Sequence, residues 1–192
     1  MRRTWLLVSA AIIAALTLGS CATQVHNAAG QNSVDRLERL LREGRDVDER
    51  NHLGETPLMI AAEEGNFETV RFLVESGADV NAEKPPGGVT PLRLAVDNND
   101  YDMVSYFIDN GADVKQANDR GWTPFMTAAR VGNKRILELL AASGADPYAM
   151  TEEGEDAMTV ASRNGHLDIV LMLALGRQEH YAELLRSEDR PD

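Results

Sequence analysis

The chain has 192 residues, a formal net charge of −12 and one cysteine. Its hydrophobic fraction of 43% is too high for a disordered acidic tail, and its length fits one domain or a short array of small repeats. An acidic surface argues against nucleic acid as a partner, because phosphate binding needs clustered Lys and Arg. A single cysteine excludes an internal disulfide framework and a cysteine-rich zinc site.

Residues Met1–Ser20 have the pattern of a signal peptide. Arg2 and Arg3 supply positive charge, residues 5–18 are apolar apart from two hydroxyl side chains, and small residues follow. As a helix the apolar run would span roughly 21 Å, less than the roughly 30 Å hydrocarbon core of a bilayer. We therefore expect an exported protein rather than one with a permanent membrane span.

The sole cysteine follows this apolar run. The segment Leu18-Gly19-Ser20-Cys21 resembles the bacterial lipobox, in which the cysteine thiol receives a diacylglycerol group and the cysteine becomes the mature N-terminus. The resemblance implies a lipoprotein, and Ala22 after the cysteine implies the outer membrane facing the periplasm of a Gram-negative cell. Ordinary cleavage after Ala22 is the alternative, and it would leave a soluble periplasmic protein.

The rest of the sequence repeats itself. Gly-Ala-Asp and Thr-Pro each occur three times, with steps of 34 and 33 residues in both series. The first residues of these motifs are Gly77, Gly111, Gly144, Thr56, Thr90 and Thr123. The repeat, which reads TPLMIAAEEGN in one copy, resembles the ankyrin repeat, whose hallmark is T-P-L-H-x-A. The resemblance implies an all-α solenoid of stacked helix-turn-helix repeats with β-hairpin fingers.

Extending the period in both directions predicts five repeats, of which the outer two are atypical, as the ends of a solenoid should be. They cover residues 23–55, 56–89, 90–122, 123–155 and 156–176. Residues 177–192 are predicted to form a capping helix, at Gln178–Ser187, and an acidic tail. The one additional residue of the 34-residue step falls within Glu83–Val89, which is rich in proline and glycine, so that finger should have its own shape.

The residues of each repeat predict where its two helices begin and end and which positions face inward. Thr-Pro predicts the start of the first helix, because proline is tolerated in a first turn. In the second repeat the positions expected to face inward are Leu58, Ala61, Ala62, Val70, Leu73 and Val74. Gly77 is expected to end the second helix in the left-handed conformation.

The sequence contains no convincing catalytic constellation. Its four histidines lack metal-ligand spacing, and neither a nucleophile elbow nor a glycine-rich phosphate loop is present. His26 and His166 match structural positions of the ankyrin repeat, and the resemblance implies structural roles for both. We therefore expect no enzyme activity, no cofactor and no metal.

By the same resemblance, protein partners bind the finger tips and the exposed positions of each first helix. The matching positions are His52, Leu53, Glu55, Glu63, Glu64, Val89, Asp97, Asp119, Arg120, Trp122, Arg130, Glu152 and Glu153. Trp122, with Arg120 and Arg130, is the expected energetic centre, because Trp and Arg are enriched among interface hot spots. Alternatively, Trp122 folds onto a neighbouring finger. The flanking carboxylates indicate a partner with a basic rim, or simply a soluble surface.

Two functions stay open from the sequence. The first is a non-catalytic, monomeric scaffold or adaptor that binds a protein partner and meets the membrane only through its N-terminal lipid. The second is a periplasmic inhibitor or immunity protein that occludes a toxin or an enzyme.

Overall fold

The computed structural model describes residues 24–188, and their side chains as far as residue 178. The helices in this range are α1 (residues 24–30), α2 (Val34–Arg42), α3 (Pro57–Glu63), α4 (Phe67–Glu75), α5 (Pro91–Asp97), α6 (Tyr101–Asp109), α7 (Pro124–Val131), α8 (Lys134–Ala142), α9 (Ala157–Arg163) and α10 (Leu167–Glu188). Each predicted repeat supplies two consecutive helices, so the all-α repeat fold is confirmed. The predicted signal peptide and Cys21 lie outside the described residues.

The Thr-Pro motifs begin the first helices, as predicted. The hydroxyls of Thr56, Thr90 and Thr123 each accept a hydrogen bond from the backbone N–H three residues later, at 3.3, 3.3 and 3.2 Å. In the last repeat, which lacks Thr-Pro, the carboxylate of Asp156 accepts from the N–H of Thr159 at 2.8 Å. Such a cap contributes about 1 kcal/mol to helix stability. Asp156 therefore caps the first helix of the last repeat in place of the missing threonine.

The described part of the chain divides into two compact units, of which the first ends at residue 94 and the second begins at residue 95. In the first unit, α4 packs against α2 and α3. The predicted inward residues of repeat 2 are buried there, except Val74, which is only half-buried. Small alanines in α3, Ala61 and Ala62, are fully buried and allow the helices to approach closely.

In the second unit, α7 packs against α8 and α9, α6 packs against α8, and α9 packs against α10. Its largest fully or almost fully buried side chains are Phe107 and Phe125. Apolar surface buried in this way stabilises the unit by about 25 cal/mol per Å².

The expected fingers are present as tight turns rather than as paired strands. Among residues 24–188 there is no strand, and one isolated antiparallel bridge joins Lys84 and Val89. In the fingers at residues 51–55, 118–122 and 151–155, the first N–H donates to the fifth carbonyl at 3.0, 3.0 and 2.9 Å. A glycine with positive φ stands fourth in each and turns the chain back before a ladder can form.

The finger at residues 84–89 contains the inserted residue, as predicted. There the N–H of Lys84 donates to the carbonyl of Val89 at 2.9 Å, so the same closure spans six residues instead of five. The sequence therefore placed the insertion correctly.

The predicted separate helix at Gln178–Ser187 is wrong, because α10 runs without a break from Leu167 to Glu188. In inner repeats the second helix ends at a glycine with positive φ, such as Gly77 or Gly144. Gly176 has no positive φ, and the helix continues through it. Within the described range, α10 and the other helices all lack the combination of length and apolar character that crossing a membrane requires.

Candidate protein-binding surface

The structure sorts the predicted binding residues by exposure. The exposed ones are His52, Leu53, Glu63, Glu64, Asp119, Arg120, Arg130, Glu152 and Glu153. Val89, Asp97 and Trp122 are half-buried. Glu55 is only 8% exposed, so its expected place on the open surface is wrong.

Glu55 is bound by two other side chains of the first unit. Its two carboxylate oxygens accept from Nζ of Lys84 at 2.5 Å and from Nδ2 of Asn51 at 2.9 Å. Burial alone would raise the pKa of Glu55, but these hydrogen bonds and the charge of Lys84 outweigh it and hold the pKa below its usual value. Glu55 is therefore an ionised structural anchor.

Both singled-out histidines have the structural role implied by the resemblance. In the first unit, Nε2 of His26 lies 2.9 Å from the carbonyl oxygen of Glu55. In the second unit, Nε2 of His166 lies 3.0 Å from the carbonyl oxygen of Arg130. The His166 ring joins two successive repeats, and the His26 ring joins the first helix of its repeat to the finger that ends the same repeat. Within the described part of the chain, no three His, Cys, Asp or Glu side chains are grouped to hold a metal ion.

The finger at residues 51–55 presents its tip on a fixed turn. The side-chain oxygen of Asn51 accepts from the N–H groups of Leu53 and Glu55 at 2.9 and 3.0 Å. Arg50, which sequence reasoning missed, donates to the carbonyls of Gly54 and Glu83 at 2.7 Å each. Leu53 remains 51% exposed at this tip.

In the second unit, Trp122 is hydrogen-bonded both to its own finger and to α7. Its indole N–H donates to the hydroxyl of Thr127 at 2.9 Å, and its backbone N–H donates to the side chain of Asn118 at 2.9 Å. The side chain is half-buried rather than fully exposed, and its indole is held in one orientation by Thr127.

The expected basic patch around Trp122 is smaller than the sequence suggested. The guanidinium of Arg130 forms an ion pair with Asp97, the same position one repeat earlier. The carbonyl of Arg120 accepts a hydrogen bond from the N–H of Glu152 at 3.1 Å, and this bond joins two fingers. The 33-residue spacing of Asp97 and Arg130 was a signal from which their pairing could have been found.

Met150 is a further exposed residue that sequence reasoning missed. It is 63% exposed and directly precedes the finger at residues 151–155. A Cβ on Gly121 would stand only 3.2 Å from the carbonyl oxygen of Met150. The closely packed backbone therefore holds Met150 beside the tip that carries Trp122.

The repeat geometry agrees with the comparison to known proteins. The sequence profile described as "Ankyrin repeats (3 copies)" matches residues 25–118 and 108–184. The chain belongs to the ankyrin-repeat family. Ankyrin repeats are protein–protein interaction domains, so a protein partner is the coarse expectation for this surface.

Several curated proteins are similar over part of their length. Human "Kinase D-interacting substrate of 220 kDa" is 52% identical over 46 residues, which are 24% of this chain and 3% of that protein. "Ankyrin repeat domain-containing protein 29" of Danio rerio is 41% identical over 64 residues, 33% of this chain and 22% of that protein. "Ankyrin repeat, SAM and basic leucine zipper domain-containing protein 1" of Dasypus novemcinctus is 32% identical over 116 residues, 59% of this chain and 24% of that protein. The chain thus spans about a quarter or less of these relatives.

Proposed function

We propose that this ankyrin-repeat chain is a non-catalytic protein-binding scaffold or adaptor, exported and held at the cell envelope by a lipid on Cys21. The observation that supports binding most directly is the finger surface of the second unit. Its exposed side chains stand on turns closed by backbone hydrogen bonds, and Trp122 is held by Thr127. Binding to such a preset surface loses little conformational entropy.

The composition of this finger surface fits a protein partner. Trp122, Arg120 and Met150 offer aromatic, cationic and flexible apolar contacts, and aromatic residues, Met and Arg are enriched at interfaces. Asp119, Glu152 and Glu153 are exposed around them. We therefore propose a partner that presents an apolar pocket for Trp122 and a basic rim.

The proposed anchor rests on Arg2, Arg3, the apolar run and the lipobox-like segment Leu18–Cys21. Residue 24, where the described helix α1 is already in place, follows Cys21 by only three residues. Three residues extend over at most about 11 Å. A lipid on Cys21 would therefore keep the first repeat close to the bilayer, and we propose the periplasmic face of the outer membrane.

Capture from intact cells tests the binding proposal. The tagged full chain would be crosslinked in place and recovered beside two variants, Trp122→Ala and Lys134→Ala, the second being an exposed residue of α8. The proposal expects one enriched protein with the wild type and Lys134→Ala, and strong depletion with Trp122→Ala. Equal recovery with all three chains would contradict a role for this finger surface. A captured enzyme or toxin whose activity is lost on binding would identify the chain as an inhibitor instead.

Fractionation tests the anchor independently of any partner. Cys21→Ser should abolish labelling of the chain by radioactive palmitate and move it to the soluble fraction, or leave the precursor uncleaved. Unchanged fractionation with normal processing would remove the lipoprotein part of the proposal and leave the binding part intact.

A further inference from the structure

Two arginines of the first repeat occupy positions that the other repeats fill with uncharged side chains. Arg36 aligns with residues that are each 0% exposed, and Arg39 aligns with residues that are half-buried. In repeat 1, by contrast, Arg36 is half-buried and Arg39 is exposed. The residues aligned with Arg36 are Thr69, Met103, Ile136 and Ile169, and those aligned with Arg39 are Phe72, Tyr106, Leu139 and Met172.

Contacts of repeat 2 show which way these positions face. The hydroxyl of Thr69, the counterpart of Arg36, donates to the side-chain oxygen of Asn32 in repeat 1 at 2.7 Å. In α3, Ile60 also faces repeat 1, because a Cβ on Gly30 would stand 3.3 Å from its Cγ2. Both contacts run to the preceding repeat. By alignment, Arg36 therefore lies on the face with which an inner repeat packs against the repeat before it.

This face of repeat 1 also contains Asn27, Arg39 and Glu43. Asn27 of α1 aligns with Ile60 and is exposed. Arg39 follows Arg36 by three residues and therefore lies on the same side of α2. Glu43, which caps the C-terminal end of α2, follows Arg36 by seven residues and shares that side as well. These four residues, Asn27, Arg36, Arg39 and Glu43, are called the end face below.

The charge of the chain is unevenly distributed, and the end face lies in its basic part. Residues 24–45 have a formal net charge of +1, whereas residues 46–192 have a formal net charge of −15. Two other carboxylates of α2 lie elsewhere, because Asp35 and Glu38 are about 100° and 160° from Arg36 around the helix. Charges farther than about 8 Å are largely screened at physiological ionic strength, so the local charge of the end face decides what it attracts.

The anchor proposed at Cys21 brings a bilayer within reach of the end face. Cys21 precedes residue 24, where α1 begins, by three residues, which extend over at most about 11 Å. The short turn at residues 31–33 makes α1 and α2 antiparallel neighbours. Residue 24 is therefore level with the C-terminal half of α2, where Arg39 and Glu43 lie. A lipid on Cys21 would place phospholipid headgroups beside this end of α2.

We propose that the end face of repeat 1 lies on anionic phospholipid headgroups of the bilayer that holds the lipid of Cys21. The proposal rests on the proposed anchor and adds the orientation of the first repeat to it. The planar guanidinium groups of Arg36 and Arg39 match phosphate oxygens as hydrogen-bond acceptors. A lipid chain combined with basic residues holds a protein at a membrane more stably than the lipid alone.

Fluorescence quenching in vesicles tests this contact. Because Cys21 is the only cysteine and the lipid blocks its thiol, Asn27→Cys can be labelled alone with a bimane maleimide in the lipidated chain purified from cells. The vesicles contain a headgroup spin-labelled lipid in phosphatidylcholine, either alone or with an equal amount of phosphatidylglycerol. Phosphatidylglycerol should raise the quenching constant at least about threefold, because basic residues favour contact with an anionic surface.

Two charge variants of opposite sign and a matched control locate the effect. Arg36→Gln combined with Arg39→Gln should remove most of the rise in quenching, and Glu43→Gln should enlarge it. The control combines Arg71→Gln with Lys134→Gln, which removes the same charge from exposed residues of α4 and α8, and it should keep the full rise.

Flotation of the same vesicles tests the anchor separately. A chain that does not float with pure phosphatidylcholine vesicles lacks the lipid anchor, and this result would overturn the anchor and the end-face contact together. A chain that floats but shows equal quenching with and without phosphatidylglycerol would overturn the end-face contact alone. The same conclusion follows if the rise survives in the double arginine variant, or if the control loses as much of it.

Discussion

The ammonium nitrogen of Lys84 lies 2.5 Å from Oε1 of Glu55, and the contact joins two successive fingers of the first unit. The Glu55 side chain is 10% exposed and that of Lys84 is 33% exposed, so the pair is shielded from water on one side. A Cβ on Gly54 would stand 3.1 Å from Cδ of Pro85, which shows how closely the two fingers approach. Tertiary contacts therefore hold the inserted finger, whose own pairing is a single bridge.

Loss of this ion pair should destabilise the first unit measurably. Lys84→Met leaves the carboxylate of Glu55 mostly buried with only Asn51 as a side-chain partner, and we expect a loss of about 1–2 kcal/mol in the free energy of unfolding. Urea unfolding at neutral pH measures it. Lys134→Met, which breaks an exposed pair with Glu138, should cost less than about 0.5 kcal/mol. Equal losses in the two variants would show that burial of Glu55 does not matter.

Glu55 and Asp156 should make stability fall in acid. Burial would raise the pKa of Asp156, but hydrogen bonds from Thr159 and Arg177 outweigh it, so its pKa, like that of Glu55, is below the usual value. A carboxylate with a lowered folded pKa contributes stability above its unfolded pKa and loses it as the pH falls through the folded pKa. Glu55→Gln and Asp156→Asn should therefore be less stable than the wild type at neutral pH. This difference in stability should shrink as the pH falls below the usual pKa values of 4.5 for Glu and 3.8 for Asp. Thermal unfolding between neutral pH and pH about 3 measures this. A difference that does not change with pH would contradict the assigned ionisation.

Asp48 should behave in the opposite way. Burial raises its pKa, and although the N–H of Asp79 opposes this, the carboxylates of Asp79 and Asp46 add to the rise. A raised folded pKa favours folding at low pH, and this contribution is lost as the pH rises through the folded pKa. Asp48→Asn, which keeps an oxygen for the Asp79 N–H, should therefore raise the Tm at pH 7, with the gain disappearing as the pH falls below the usual value of 3.8. A lower Tm at pH 7 would show that the ionised carboxylate is favoured by the fold.

Two glycines with similar backbone angles separate conformational strain from packing. Gly132 and Gly165 have φ of +87° and +80°, so alanine at either should cost about 1–2 kcal/mol in conformational energy. A Cβ on Gly132 would stand 2.6 Å from Nδ1 of His166, whereas a Cβ on Gly165 meets nothing within 4 Å. Displacing His166 also weakens its hydrogen bond to Arg130, so Gly132→Ala should cost about 1 kcal/mol more than Gly165→Ala. Chemical unfolding of the two variants measures the difference, and equal losses would contradict the packing role of His166.

The fold was predictable because the same motifs recur along the chain at a regular spacing. The spacing of Thr56, Thr90 and Thr123 fixed the first helices, and the single added residue was placed in the correct finger. The family pattern predicted the fingers, but it did not reveal that they close over five residues without forming strands.

The individual surface residues were less predictable, because their exposure depends on partners from other repeats. Glu55 reads as an exposed finger residue in the sequence, but Lys84 from the next repeat and His26 from the start of its own repeat both bind it. Within α10, Arg177 follows Gly176 and reaches the carboxylate of Asp156, 21 residues earlier, at 2.5 Å. No local pattern contains these contacts.

The affinity of the captured partner for the finger surface tests the proposed binding function most directly. The partner would be titrated against the wild-type chain, the double variant Arg120→Ala with Trp122→Ala, and the α8 control Lys134→Ala. Hot-spot residues cost about 2 kcal/mol or more when truncated, so the double variant should raise the Kd at least about thirtyfold and the control should leave it unchanged. An unchanged Kd in the double variant, with the chain still folded, would contradict the claim that this surface binds the partner.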